Sequence, residues 1–376
     1  MANPSRKMAV IKRIDGITPI DGADRIELAH IGGWQVVVGK GEYEPNDLCV
    51  YYEPDSFLPA DDERYASFAE RGTKEMLLDG KTIKGHVLRT IRLRGTWSAG
   101  LAMKPEDVMP EGIPTYRYAQ MCESGTDVSK LVNTWEYVSD IPMTAGFKGK
   151  YDTHCGPRTD AERVQNVSQD TFDLLKRTKY WVSVKVDGTS TTMVMDPRTN
   201  EMRYFSHNNE FEISDGIGKV FHEAAERQGL VEWCQQHPGI TLQAELCGPK
   251  MNANRLGLKE RRLFVFSVWD MNAREYVSPF ELRDSGAKVV LDNMSPFLGT
   301  GYGQYFLTGF ERPEDLLDFA DKMRGYVSRG RLDEGFVVHA YEPGELGQDE
   351  WVELGNALGP TYQMKAVSRR YLAKEK

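Results

Sequence analysis

The sequence predicts an α+β protein in two parts, a small amino-terminal β-barrel followed by a larger unit of antiparallel strands flanked by helices. Three observations lead there. Residues 8 to about 103 read as short apolar strands split by turns. Beyond residue 159 further apolar strands alternate with amphipathic stretches, of which 217–228 and 313–323 are the clearest helices. A chain of 376 residues also has room for two or three cores.

In the first part the strands are expected over 8–14, 26–30, 34–38, 48–52 and 83–93, with Gly32-Gly33, Gly39-Lys-Gly41, Pro45-Asn-Asp47 and Asp79-Gly80 as the turns. Five short strands at this spacing suggest a small closed barrel of the OB type. In the fifth, Lys84, His86, Thr90, Arg92 and Arg94 share one parity and Val87, Ile91 and Leu93 the other. A basic face backed by an apolar one is what a nucleic-acid-binding barrel needs, so Lys84, Arg92 and Arg94 are its candidate contacts. We expect the barrel domain over 1–125, a connector over 126–158 and the second domain over 159–376. Within the connector, 127–132 is expected as a short helix capped by Thr126 or Asp127. The Thr159-x-x-Glu162 spacing predicts a capping box opening a helix that carries Arg163 and Gln165.

The second part holds the chemistry. The apolar run Tyr180-Trp-Val-Ser-Val184 is followed at once by Lys185-Val-Asp187-Gly188, so a lysine stands at the end of a buried strand. A lysine nucleophile must be neutral near pH 7, and burial beside other cations lowers its pKa in that direction. Gly188 lets the backbone approach a phosphate. Further on, Thr241-Leu-Gln-Ala-Glu245 brings a carboxylate to a strand end before Gly248-Pro249. The segments 263–270 and 332–339 are strands with Phe266 and Glu334 at marked positions, and 363–367 brings Lys365 near the end of the chain.

Composition is that of an ordinary globular protein, 40% hydrophobic and 27% charged. No apolar run approaches the ~20 residues of a membrane span. Five scattered cysteines without Cys-x-x-Cys spacing argue against a disulfide framework or structural zinc, and fit a reducing cytoplasm. The net charge of −9 leaves nucleic-acid binding to a local basic face.

The order of these segments resembles motifs I, III, IIIa, IV and V of the covalent nucleotidyltransferase superfamily, which pairs an ATP-grasp-like nucleotidyltransferase domain with other modules. The whole is similar to the ATP-dependent polynucleotide RNA ligases that place an OB domain first. Glu53-Pro-Asp-Ser-Phe-Leu-Pro59 and Arg94-Gly-Thr-Trp-Ser98-Ala-Gly-Leu101 are similar to the barrel of that class, and 159–166 resembles the segment that leads into its ligase domain. Only eleven residues follow Lys365, which is expected to leave no room for a carboxyl-terminal OB domain.

The resemblance implies roles. Lys185 would attack the α-phosphate of ATP to form lysyl-AMP, with Lys365 neutralising charge on that phosphate and helping to depress the Lys185 pKa. Asp187 and Glu334 would hold Mg²⁺ or Mn²⁺. Glu245 and Ser190 would bond the ribose, Phe266 and Val337 would sandwich the adenine, and Val184 and Gly188 would line the nucleotide. The partners implied are ATP and RNA ends bearing 3′-OH and 5′-phosphate, met by a monomer. Three departures stand out. His207 occupies the arginine position of a Ser-Arg-Asn element, where it would meet the nucleic acid. Ser267 replaces an acidic residue after Phe266, and Gln363 replaces the first lysine of motif V. The alternatives are a capping-type guanylyltransferase and a non-catalytic RNA-binding protein with a retired ligase domain.

Overall fold

The computed structural model describes residues 6–138 and 145–374. These divide into two compact units, Met1–Pro142 with Leu372–Glu375, and Met143–Tyr371. Among the described residues no helix is long and apolar enough to cross a membrane, and all five cysteines are free.

The first unit is built from short antiparallel strands. Ala9–Arg13, Leu48–Tyr52 and Leu101–Met103 form one sheet, and Gly16–Pro19, Ile26–Ile31 and Trp34–Gly39 a second. A third has the order Trp135–Glu136, Ser56–Pro59, Lys81–Val87, Lys74–Leu78, and Thr90–Leu93 pairs with Thr96–Ala99 as a hairpin. Leu48–Tyr52 shows why its sequence lacks alternation. Cys49 and Tyr51 pack with Trp34, Val36 and Val38 on one side, while Val50 and Tyr52 pack with Leu58, Tyr65 and Val128 on the other. A strand covered on both faces has no polar side to display.

Three expectations are corrected. The strand expected over 83–93 is two strands, because Leu88-Arg89 interrupts the pairing after Val87. The interruption resets the pleat, so Thr90 is buried while Ile91 and Leu93 are exposed, and no apolar face backs the arginines there. The helix expected over 127–132 is a turn, in which the Asp127 carboxylate accepts from the Ser129 N–H and hydroxyl while Val128 and Val132 enter the core. An Asx turn has won over helix at the same cap-like residue. Finally, Thr159-x-x-Glu162 forms no capping box, and only a single 3-10 turn, Val164–Asn166, carries Gln165 before the α-helix. Glu162–Arg163 is a short strand parallel to Gln363–Val367, and the helix begins at Gln169 with Ser168 as its N-cap. Glu162 spends its carboxylate on the Arg163 N–H and the Asn166 amide instead of a cap. Of the expected connector, residues 139–144 lie outside the described residues, and Phe147–Lys150 pairs with Asn209–Phe211 in the second unit.

The second unit contains two sheets. Seven antiparallel strands run in the order Phe147–Lys150, Asn209–Phe211, Glu201–Phe205, Thr189–Asp196, Ile240–Cys247, Arg262–Asp270, Glu275–Tyr276. One face, through Met193, Leu242, Ala244 and Val265, packs on helices Gly216–Arg227 and Leu230–Gln236. Four strands form the other sheet, in the order Glu162–Arg163, Gln363–Val367, Gly335–Glu342, Lys179–Lys185. Val182, Val184, Phe336, Val338, Met364 and Ala366 bury its apolar face against helices Gln169–Arg177, Asp315–Lys322 and Gln348–Leu358. Because side chains alternate along a strand, the residues between these point to the opposite face. That face carries Ser183, Lys185, Val337 and Lys365, while Ser190, Gln243 and Glu245 lie on the uncored face of the larger sheet.

Candidate active site

Lys185 ends its strand level with Gly335, its antiparallel partner, so the residue before that glycine arrives beside the lysine. Lys185 Nζ lies 2.7 Å from Glu334 Oε1. Gly335 is needed for this approach, since its φ of 145° suits glycine and an added Cβ would overlap the Ala366 carbonyl. Gly188 is equally constrained: a Cβ there would overlap the Leu246 carbonyl, and its N–H donates to Glu245 Oε1 at 3.0 Å. Across the ladder Val337 is level with both Ser183 and Lys365, and Lys365 with Arg163, so Lys365 and the buried Arg163 stand on the same face as the lysine.

The electrostatics correct one expectation. Burial alone would lower the Lys185 pKa, but the carboxylates of Glu334, Glu245 and Asp187 outweigh it and hold the ammonium above its ordinary value. Burial pushes Glu245 up to about 8, with Lys185 opposing and Glu334 adding to the rise. Glu334 is likewise raised by burial, against the pull of Lys185 and Lys365. Lys365 therefore acts on Glu334. Glu334 Oε2 is buried without a hydrogen-bond partner. A carboxylate oxygen held there, in a group with Asp187, suits a hard divalent cation.

Asp187 is held by residues that sequence reasoning missed. Tyr371 Oη donates to Asp187 Oδ2 at 2.7 Å, and Asn252 Nδ2 to Oδ1 at 3.1 Å. The Arg255 guanidinium lies 3.4 Å from the centre of the Tyr371 ring and donates to the Tyr371 carbonyl. Tyr371 follows Asp187 by 184 residues, and no local pattern announces such a contact.

Phe266 and Val337 are half-buried, unlike the fully buried Val265, Phe336 and Val338 around them. Phe266 is the extra residue of a β-bulge: Ala244 pairs with Val265 and Gln243 with Ser267, leaving Phe266 unpaired between. Ser190 is level with Glu245 across the neighbouring pair. The two departures meet each other, since Gln363 Nε2 lies 3.4 Å from Ser267 Oγ in a buried contact. Val184 is in the core, its N–H donating to the Pro296 carbonyl and its own carbonyl accepting from Ser295 Oγ.

The other candidates have surroundings of their own. His207 sits in the turn after Glu201–Phe205 with Asp160 3.7 Å from its Nε2. Lys84 is exposed in the four-stranded sheet of the first unit and pairs with Glu75 at 3.5 Å. Arg92 and Arg94 are on the hairpin, Arg92 over the Trp97 ring at 5.0 Å and Arg94 donating to the Gly22 carbonyl at 2.8 Å. Asp152, Cys155 and Asp196 are close enough to hold a metal. Arg198 and Arg203 already pair with both carboxylates at 2.6 to 2.9 Å, so that group is a closed ionic cluster.

Comparisons with known proteins bear on the fold and the family. An OB-fold domain family model matches residues 8–105, and the RNA ligase family model matches residues 178–349. No curated protein matches the sequence. Among solved structures, a mutant of Naegleria gruberi RNA ligase with AMP and Mn is 27% identical, covering 98% of this chain and 99% of that one with a TM-score of 0.76. Another mutant of that ligase, with ATP and Mn, is 26% identical over the same shares with a TM-score of 0.75. The same ligase with PPi is 28% identical, covering 98% of each chain with a TM-score of 0.74.

Proposed function

We propose that this chain, an ATP-dependent RNA ligase that sets an OB-fold domain ahead of its ligase domain, seals RNA 3′-OH and 5′-phosphate ends through two covalent adenylates. The Lys185 amine attacks the α-phosphorus of ATP, forming an Nζ–P bond and releasing pyrophosphate. AMP passes to the 5′-phosphate of the RNA, and the 3′-OH then displaces AMP to form the phosphodiester. The observation that carries this reading is a single strand-end lysine ringed by Glu334, Glu245 and Asp187, with Lys365 on the same sheet face.

Each side chain has a task the site can support. Lys365 neutralises charge on the α-phosphate. Glu245 and Ser190, level with each other, bond the ribose, and Phe266 and Val337 take the two faces of adenine. Gly188 lets the backbone pass close to the nucleotide, whereas Val184, expected to line it, turns its side chain to the opposite, helix-packed face of the sheet. Asp187 and Glu334 would hold Mg²⁺ or Mn²⁺, whose positive charge would favour the neutral form of Lys185. Arg92 and Arg94 of the barrel, with Lys84, grip RNA, and His207 meets it within the ligase domain. The protein works as a monomer, and its free cysteines suit a reducing cytoplasm.

ATP labelled on the α-phosphate tests the assignment. Label is expected to appear on the protein, to move to 5′-phosphorylated RNA, and to leave as AMP when a 3′-OH end is joined. Labelling from GTP in place of ATP would favour the capping-type alternative.

A further inference from the structure

We infer that the loop from Arg324 to Arg331, with the turn it packs on, is an RNA-docking surface of the ligase unit. This rests on the RNA ligase reading and adds a contact surface outside the nucleotide site. The chain as a whole carries a net charge of −9, yet 324–332 contains three arginines and no acid. Arg324, Tyr326, Arg329 and Arg331 are all exposed, Tyr326 by 46%.

The acid that follows is turned inward. Asp333 is 1% exposed, and its carboxylate accepts from the N–H groups of Tyr326 at 3.0 Å and Val327 at 3.2 Å. Its negative charge is used to shape the loop and does not face outward with the arginines. Gly325 N–H donates to the Arg331 carbonyl at 2.9 Å and Arg324 Nη1 to the Gly330 carbonyl at 3.0 Å, which closes the loop on itself. A loop already ordered loses little entropy on binding.

Its position ties it to the chemistry. Asp333 immediately precedes Glu334, the partner of Lys185. The Arg331 guanidinium packs on Gly257, where an added Cβ would lie 3.1 Å from Nη2. That turn also carries Asn252, which bonds Asp187, and the exposed Lys259. Guanidinium groups pair with phosphate oxygens, and an exposed tyrosine ring can stack on a base. Three of them spread along a loop match successive phosphates of a strand better than one compact anion.

The test pairs Arg329→Ala/Arg331→Ala, which leaves the Arg324 clasp intact, with Arg329→Lys/Arg331→Lys, which keeps the charge. Binding of a 5′-phosphorylated, fluorescent single-stranded RNA is measured without ATP across a salt series, and AMP attachment is followed by intact mass. The alanine pair is expected to weaken RNA binding roughly tenfold near ~0.1 M salt and to flatten the log–log salt slope by about 1.4. AMP attachment is expected to be unchanged, and the lysine pair to recover most of the binding. Wild-type affinity and slope in the alanine pair would overturn the inference. So would loss of AMP attachment with RNA binding intact, which would place these arginines on the nucleotide. Failure of the wild-type protein to take AMP would instead strike the ligase reading, since the RNA measurement does not depend on it.

Discussion

At Lys185 burial and charge pull in opposite directions. Burial favours the neutral amine, while Glu334, Glu245 and Asp187 hold the proton on it. A positive charge bound beside these carboxylates would shift the balance toward the neutral amine. Asp187 is fixed from two sides by Tyr371 and Asn252. Tyr371→Phe keeps the ring that Arg255 covers and removes only the hydroxyl. It is expected to raise the Mn²⁺ concentration needed for AMP attachment several-fold, at a stability cost of about 1 kcal/mol. Unchanged metal dependence in a metal titration would contradict this. His339 makes a separate prediction. It is buried on the Trp181 ring with its Nε2 2.9 Å from Ser183 Oγ, and burial drives its pKa down to about 3. The folded protein keeps this ring neutral, while the unfolded chain protonates it near the ordinary 6.5. Its contribution is complete above that value and is lost as pH falls toward about 3. The slope approaches about 1.4 kcal/mol per pH unit. Urea unfolding across this range is expected to show a shallower acid loss in His339→Gln, and an identical slope would refute the assignment.

The strands that carry Lys185, Glu245, Phe266 and Lys365 were legible as apolar runs, with Lys185 at the end of its own, whereas the strand expected over 332–339 begins only at Gly335 and leaves Glu334 in the turn before it. What was not legible depends on pairing partners. The pleat reset at Leu88-Arg89 and the bulge at Phe266 are properties of a register, which a single strand does not encode. The false capping box at Thr159 failed because Glu162 found nearer donors. Glycine constraints are clearest where two sheets meet the site. Gly335→Ala, with its φ of 145° and the Ala366 carbonyl in the way, is expected to cost roughly 2 kcal/mol or more and to displace Glu334 from Lys185. A thermal melt and an AMP-attachment assay check both effects, and wild-type values in each would contradict the geometry.

At the scale of the whole molecule, the order barrel then ligase domain was readable from spacing and motif order, and the family matches at 8–105 and 178–349 agree with it. The tasks assigned to the two units can be separated. Arg92 and Arg94 share the hairpin while Lys84 lies in another sheet, paired with Glu75. Arg92→Ala/Arg94→Ala is therefore expected to lower RNA sealing several-fold and to spare AMP attachment, with Lys84→Ala adding a further, smaller loss. Equal loss of both steps would show that the barrel does more than hold RNA.

The central claim is that Lys185 is the covalent nucleophile. Intact mass spectrometry of the purified protein after incubation with ATP and Mn²⁺ or Mg²⁺, beside Lys185→Ala, tests it most directly. The account predicts the gain of one AMP on the wild-type protein and none on the variant. A wild-type protein that gains nothing with either metal, or a variant that still gains AMP, would contradict it.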